Sequence, residues 1–495
     1  MRDRASRLNE LATRVFDVLV VGGGITGAGI ARDAVARGLS VALIEKSDFG
    51  SGTSSRSSRL IHGGVRYLEH GHLHLVFEAS AERRRLLRLA PALVHPLPFV
   101  WPVYRGQRLP LWKLAAGLTL YDVLALFRNV ETHRRLDREQ VLGMEPRLRP
   151  DGLRGGVRYF DAGTDDARLT LANVIDAAQL GAAVANHLAY VSGAHGANGI
   201  HVAQVEDALA GDRFEIRARV LVNASGPWSD AVAQRAGQSG RSKIQGSKGA
   251  HIAVKRERLG NREAITLVHP RDGRVMFVLP DGTHAIIGTT DSFTDVPPDE
   301  VRASEADLAY LLEAANAFFP DARLTRDDVI AGWAGIRPLM PSKGSAVQAS
   351  REHAITRDGG VITITGGKLT TYRVMASQVV DAVRVALRMP RAPGRTHDRP
   401  LPVPPESFEG REIQVGLPYL LGAMRHAVEH EFAITLGDLL IRRVRIAYQT
   451  RDNGRAAARR AVEVVAPLLR WDADARAREL ARYDAEVERI FRIDP

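Results

Sequence analysis

Asp17-Val-Leu-Val-Val-Gly22-Gly-Gly24-Ile-Thr-Gly27-Ala-Gly-Ile-Ala-Arg-Asp33-Ala-Val-Ala-Arg37-Gly38, with Val41-Ala-Leu-Ile44-Glu45 close behind, decides the fold. Val18 to Val21 reads as a strand, Ala28 to Arg37 as a helix and Val41 to Ile44 as a second strand, so the stretch is a βαβ unit at the start of the chain. Gly22-x-Gly24-x-x-Gly27 falls between the strand and the helix, where backbone N–H groups and the helix N-terminus attract a pyrophosphate and a side chain would block its approach. Glu45 closes the second strand, where an acidic side chain accepts hydrogen bonds from an adenosine ribose. Together they predict a dinucleotide site rather than tight helix–strand packing alone.

Working outward, the Ser-rich segment Ser51 to Ser58 follows the second strand at once, which argues for a place beside the cofactor rather than a linker. Asn223-Ala-Ser-Gly-Pro-Trp228 follows the apolar run Val220 to Asn223 and brings a second backbone turn to the same ligand. Thr365-Gly-Gly-Lys-Leu-Thr-Thr-Tyr-Arg373 joins the run Val361 to Thr365 to a helical pattern from Thr370 to Leu387. Its N–H groups suit the pyrimidine edge of a flavin, where negative charge grows on reduction. A cofactor held along its whole length by glycine turns remote in sequence is FAD rather than an exchangeable nicotinamide.

The rest of the chain sets the scale. Its 495 residues allow roughly two to four domains, and 45% hydrophobic with 25% charged residues is an ordinary globular composition. The absence of cysteine excludes disulfides, thiolate metal sites, cysteine nucleophiles and a flavin tethered through cysteine. The net charge of +11 comes with no nucleic-acid motif, and its arginines alternate with Asp and Glu on helix faces, so it reads as solvated surface. No nucleic-acid partner is expected. Met1 to Phe16 lacks the apolar core of an export signal, which predicts a cytoplasmic protein. Leu111 to Phe127 is apolar but carries Lys113 and Asp122; it reads as a buried helix or one lying on a bilayer, not a span. Six prolines between Pro390 and Pro405 mark a connector, and apolar residues at helical spacing beyond it predict a small all-helical appendage. His70-Gly-His72-Leu-His74 reads as a solvated segment, and no metal is assigned.

The residues from Gly22 to Gly38 resemble the N-terminal signature of the FAD-dependent (aerobic-type) glycerol-3-phosphate dehydrogenases, including Asp33 and Arg37-Gly38, and Gly366 to Arg373 with Ala376 resemble the second signature. Between them Thr53-Ser-Ser-Arg-Ser-Ser-Arg-Leu-Ile-His-Gly-Gly-Val-Arg-Tyr-Leu-Glu69, Asp165-Asp-Ala-Arg168, Ile287-Gly-Thr-Thr-Asp291 and Gly335-Ile-Arg-Pro-Leu339 match in order. The resemblance runs from about Phe16 to Leu387 and resumes at Leu417 to Arg445. Helical material usual in the family is missing between Pro405 and Leu417.

The resemblance implies an α/β fold: a Rossmann-like FAD-binding domain of the glutathione reductase/D-amino-acid oxidase type, an antiparallel-sheet substrate domain and an all-helical C-terminal domain away from the flavin. The oxidoreductase region is expected over 16–390, with flavin-binding parts at about 16–70, 150–235 and 330–388 and substrate parts at 71–149 and 236–329. A linker over 391–405 and a helical domain over 406–495 complete it. The implied reaction is oxidation of sn-glycerol 3-phosphate to dihydroxyacetone phosphate, with hydride to flavin N5 and electrons to quinone at the cytoplasmic membrane surface, peripherally bound. The assembly is left open, a homodimer being one candidate.

Expected at the cofactor are Gly22, Gly24, Ile25, Thr26 and Gly27; Glu45 and Lys46; Thr53, Ser54, Ser55 and Ser58; His62, Gly63 and Gly64; Ala224, Gly226 and Trp228; Gly335; and Gly367, Lys368, Leu369, Thr370 and Thr371. A dianionic phosphate calls for cations, and Arg66 with Tyr67, Arg337 and Lys368 are the candidates, arginine forks matching phosphate geometry. His251 is the candidate base, since imidazole is neutral near pH 7, and efficiency should fall at low pH as it protonates. Arg337 is grouped with His251 as catalytic. A bilayer contact through Trp112, Leu114, Leu118 and Leu126, with Arg83, Arg84 and Arg85 near lipid phosphates, completes the expectations. Two other functions share these features: a flavin oxidase or dehydrogenase for a hydroxy or amino acid, and a non-catalytic flavin-binding scaffold.

Overall fold

The computed structural model describes residues 3–63, 73–107, 109–124, 130–238, 244–340 and 352–495. The βαβ unit forms as the sequence predicts, with strand Val15–Val21, helix Ile25–Ala36 and strand Val41–Ile44. Val15–Val21 lies at the centre of an eight-stranded sheet, parallel to both Val41–Ile44 and Arg213–Asn223, and Arg213–Asn223 is parallel in turn to Val361–Gly366. Val18–Val21, Val41–Ile44, Val220–Asn223 and Val361–Thr365 are buried on both faces, which is why they read as apolar runs. Their C-terminal ends stop side by side at Val21, Ile44, Asn223 and Gly366, so the glycine turns meet at one edge, as crevice sites of open α/β sheets require.

The second sheet has ten strands and is antiparallel except where Ala264–Val268 runs parallel to Val94–Tyr104. Strands Leu60–Ile61, Leu153–Thr164 and Ala331–Leu339, expected within the flavin-binding parts, hydrogen-bond in this sheet instead. The chain therefore crosses between the sheets more often than motif positions suggested. Residues 391–405 contain no helix or strand. They lie as a strap: Thr396 Oγ1 donates to Asp33 at 3.1 Å, Arg399 pairs with Asp176, and Leu401 N–H donates to the Leu89 carbonyl at 2.8 Å.

Beyond the strap the described structure is helical: Leu421–His430, a π-helical turn Asp438–Arg443, Ile446–Gln449, Arg455–Leu469 and Ala473–Phe491. This part is no appendage. Val444, Ile446, Tyr448 and Phe491 share one buried cluster with Leu279, Ile286 and Trp333 of the large sheet. At the joint, the carboxylate of Asp48 accepts from Arg442 and Arg443, and Arg168 forks onto Glu431 with two bonds of 2.6 Å. Nor is it remote from the flavin loops, because the Tyr448 hydroxyl donates to the Ser55 carbonyl at 3.2 Å.

The helix Leu111–Leu124 settles one alternative and revises another. Leu114, Leu118 and Tyr121 face the core, whereas Trp112, Leu120 and Val123 are exposed, as is Phe77 on the neighbouring helix Leu73–Leu89. Leu114 and Leu118 thus cannot form the outer apolar face, being the helix's packing stripe; Leu126 lies outside the described residues. Arg83 is likewise inside, paired with Asp161 and Tyr121, and only Arg84 and Arg85 remain toward solvent. Among the described residues no helix is long and apolar enough to cross a membrane.

Candidate active site

A cleft of about 650 Å³ runs between the two sheets, a size suited to an organic ligand. Its first end is made of backbone. Gly22 holds φ +109°, and a Cβ there would stand 2.6 Å from the Ala224 carbonyl oxygen. A Cβ on Gly27 would stand 1.8 Å from the Gly22 carbonyl oxygen, so helix and turn close up only with glycine. Ser54 Oγ accepts the Ile25 N–H at 2.9 Å, tying the Ser-rich loop to the helix N-terminus. The Glu45 carboxylate accepts N–H groups of Gly23 at 2.7 Å and Ser47 at 3.0 Å; burial pushes its pKa up, and these two bonds oppose that. Lys46 lies over the Trp228 ring at 4.2 Å and pairs with Asp299, which also accepts the Trp228 indole N–H at 2.9 Å.

The far end begins where Val361–Gly366 turns through Gly366 and Gly367, both at positive φ, into helix Tyr372–Ala386. Thr370 Oγ1 accepts the His62 N–H at 3.2 Å, so this turn and the loop after Leu60–Ile61 meet. The Gly63 N–H points to Tyr121 and Asp161, whose partner is Arg83. Crowding at this buried cluster leaves the Tyr121 hydroxyl well above its ordinary pKa, chiefly through burial.

The second sheet supplies further side chains to the cleft lining, among them His251 and Arg337. His251, on strand Gln245–Lys255, and Trp333, on Ala331–Leu339, are register partners, and their rings stack at 5.7 Å and 12°. Trp333 in turn takes the edge of Tyr448 at 4.9 Å. His251 Nε2 is 2.9 Å from Ser58 Oγ, and Nδ1 has no hydrogen-bond partner among the described residues. Burial first, then the charges of Arg337 and Arg59, push its pKa down to about 3. The imidazole is therefore neutral across the physiological range, and the low-pH loss expected from its ordinary pKa moves far to the acid side. Arg337 reaches Asp291 at 3.2 Å and Thr289 Oγ1 at 3.0 Å, and Ser247 Oγ donates to the same Asp291 carboxylate.

Twenty of the residues expected at the site line this one cleft: Gly22, Gly24, Ile25, Thr26, Glu45, Lys46, Thr53, Ser54, Ser58, His62, Ala224, Gly226, Trp228, His251, Gly335, Arg337, Gly367, Lys368, Leu369 and Thr370. Four stand behind its wall instead. Gly27 serves close packing, Ser55 offers its carbonyl to Tyr448, Gly63 turns its N–H to Asp161, and Thr371 is buried at the head of its helix. Gly64, Arg66 and Tyr67 lie outside the described residues. Sequence reasoning missed Asp291, although it ends a quoted motif, and also Asp299, Arg274 and Trp333, which carry no local signal. Asp165-Asp-Ala-Arg168 turns out to be a joint: Asp165 pairs with Arg445, Asp166 accepts from Ser57 and Arg168 holds Glu431. Asp48, His187 and Asp438 approach one another closely enough to hold a metal ion, yet Arg442 bonds both carboxylates and Arg443 also pairs with Asp48, so cations of the protein already neutralise them.

The description "FAD dependent oxidoreductase" fits a family model matched by residues 17–373, and residues 395–476 match the C-terminal domain of alpha-glycerophosphate oxidase. A glycerol-3-phosphate dehydrogenase of Mycobacterium leprae is 36% identical, covering 98% of this chain and 90% of that protein. The chain belongs to the FAD-dependent glycerol-3-phosphate dehydrogenase family. The solved glycerol-3-phosphate dehydrogenase of Bacillus halodurans, complexed with FAD, superposes with TM-score 0.79 at 29% identity, covering 98% of this chain and 97% of that one. An L-alpha-glycerophosphate oxidase of Mycoplasma pneumoniae with FAD bound shares the fold, with TM-score 0.60 at 18% identity over 79% of this chain and 100% of that one. FAD is the cofactor of this family, and the cleft fits it: the glycine cradle at Gly22–Gly27 admits a pyrophosphate, and the paired turns at Gly366 and His62 leave backbone facing the other end.

Proposed function

We propose that the protein oxidises sn-glycerol 3-phosphate to dihydroxyacetone phosphate and passes the electrons to a lipid-dissolved quinone. The observation that carries this is one cleft holding the glycine-built FAD cradle and, at its other end, an arginine fork beside a neutral histidine. FAD, which the glycine turns at Gly22–Gly27 and Gly366–Gly367 would hold, would supply the two-electron acceptor for the substrate's carbinol hydrogen. Arg337, kept in place by Asp291 and Thr289, holds substrate oxygens with two donors at once. His251 accepts the hydroxyl proton, its orientation fixed by Ser58 on one side and the Trp333 stack on the other. Its depressed basicity rises when a phosphate dianion offsets the neighbouring guanidinium charge. Lys368 adds a cation at the glycine turn.

The acceptor reading extends to the surface. Exposed Trp112, Leu120, Val123 and Phe77, with Arg84 nearby on the Leu73–Leu89 helix, suit a peripheral contact with an anionic bilayer from which quinone is drawn. Anaerobic titration of the purified yellow protein tests the central claim: sn-glycerol 3-phosphate should bleach the flavin stoichiometrically, while hydroxy and amino acids should not. A flavin left oxidised by excess sn-glycerol 3-phosphate would remove the proposal.

A further inference from the structure

Beside Glu45 the cleft is crossed by one side chain from the opposite sheet. Asp299 lies in residues 295–300, which follow the short strand Ser292–Phe293 and contain no helix or strand. Both ends of this segment are fixed: the Thr294 N–H donates to the Gly246 carbonyl at 3.0 Å, and Val301 and Ala303 are buried with Ile252 and Ile287 of the ten-stranded sheet. From there Asp299 reaches the loops of the eight-stranded sheet. Its two carboxylate oxygens each accept from Lys46 Nζ at 2.9 Å, and one of them also accepts the Trp228 indole N–H at 2.9 Å. Lys46 Nζ stands over the same indole at 4.2 Å, and Trp228 rests on Gly52, where an added Cβ would meet its ring at 2.9 Å. All four residues line the cleft. Among the described residues, no other hydrogen bond or ion pair joins 295–300 to the eight-stranded sheet or its loops.

The three groups satisfy one another, so the crossing needs no ligand in order to form. Burial would raise the Asp299 pKa, but the bonds and charge of Lys46, and then the Trp228 N–H, outweigh it and hold the carboxyl below its ordinary value. The side chains of Asp299 and Lys46 are 51% and 37% exposed, so solvent screens the pair and it breaks without unfolding either sheet. A cofactor held lengthwise between two sheets enters and leaves only where they part, and a segment with anchored ends and one polar catch supplies such an opening. We propose that residues 295–300 are a lid over the cofactor end of the cleft, latched by Asp299 to Lys46 and Trp228, and that this latch sets how fast FAD enters and leaves. The lid does not depend on which substrate is oxidised. A gate and a binding contact differ in kinetics: losing a contact to FAD speeds release alone and weakens affinity, whereas losing a gate speeds entry and release together.

The test follows flavin fluorescence as wild-type, Asp299→Ala and Asp299→Asn holoenzymes relax after dilution to a series of concentrations, which yields release and rebinding rates together. In Asp299→Ala both rates should rise about 10-fold, with the dissociation constant within about threefold of wild type. Asn keeps an acceptor for the indole but loses the charge, so both rates should rise only about threefold. Added salt should speed exchange in the wild type, by screening Lys46 from Asp299, and leave both variants unmoved. Should the Ala variant fail to fold with FAD, the Asn variant and the salt series give the same reading. Unchanged rates in both variants would overturn the latch. Faster release with unchanged rebinding would overturn it too, making Asp299 a contact of the cofactor or a packing prop, and complete loss of FAD from both variants would place Asp299 in the cradle itself.

Discussion

The two ends of the cleft are built by opposite means. The end beside the βαβ unit is made of main chain: Gly22 and Gly27 clear space, and Glu45 is held by the N–H groups of Gly23 and Ser47. The end lined by the second sheet is made of side chains that support one another across long sequence separations, His251 on Ser58 and Trp333, Arg337 and Arg274 on Asp291. At Gly22 and Gly27 an added atom would run into backbone, whereas at Gly249 and Gly288 it would run into the side chains of Arg337 and His251, so the second end depends on how those side chains are held. The difference teaches that loss of cofactor and loss of chemistry should be separable by mutation.

The largest break is at the glycine end. Gly27→Ala places a methyl group 1.8 Å from the Gly22 carbonyl oxygen, so the turn must open; flavin absorbance in the purified protein should fall to near zero even after incubation with FAD. A yellow Ala variant with full flavin content would mean that the turn does not carry the cradle. Next comes His251→Asn, which should keep FAD and lower kcat/KM by roughly 10² or more, the range of a lost general base. With the wild-type pKa at about 3, imidazole is already deprotonated above pH 5, so the curves of the two proteins should keep the same shape from pH 5 to 8 and differ only in height. A wild-type limb near pH 6.5 that disappears in the Asn variant would show that the histidine titrates at its ordinary value. The smallest effect belongs outside both ends: Trp112→Ser, on the exposed face of Leu111–Leu124, should weaken sedimentation with anionic vesicles a few-fold while flavin content and soluble-acceptor activity stay unchanged. Equal vesicle binding by both proteins would move the bilayer contact elsewhere.

The same contrast governs what the sequence disclosed. Val18 to Glu45 could be read directly because a local rule, strand then glycine turn then helix, needs no knowledge of the rest of the chain. The turn at Gly366 and Gly367 was legible for the same reason. Arg337 came from a motif of the resemblance and His251 from the chemistry of imidazole, but what holds them was hidden: Trp333 lies 82 positions from His251 and reveals itself only through strand register. Arg83 read as one of three surface arginines because Arg83, Arg84 and Arg85 are alike in sequence, and only the helix rotation sends one of them inward to Asp161. Likewise the strands at Leu60–Ile61 and Ala331–Leu339 flank flavin motifs yet pair in the other sheet, a matter of long-range hydrogen bonding that periodicity does not encode.

The joint around Asp48 has a consequence for how this chain could be cut. Arg442 and Arg443 meet Asp48 with side chains almost wholly withdrawn from water, and separating such a pair leaves bare charge inside at a cost of about 3–5 kcal/mol. Tyr448 and Phe491 add rings to the wall behind Trp333. A protease that nicks the exposed strap at Val403 would therefore yield two polypeptides on a denaturing gel and one particle on a sizing column, still yellow. Deleting the C-terminal part from the gene is a different act: the remaining chain would be made with Asp48 and the back of Trp333 uncovered from the start, and should emerge as aggregate.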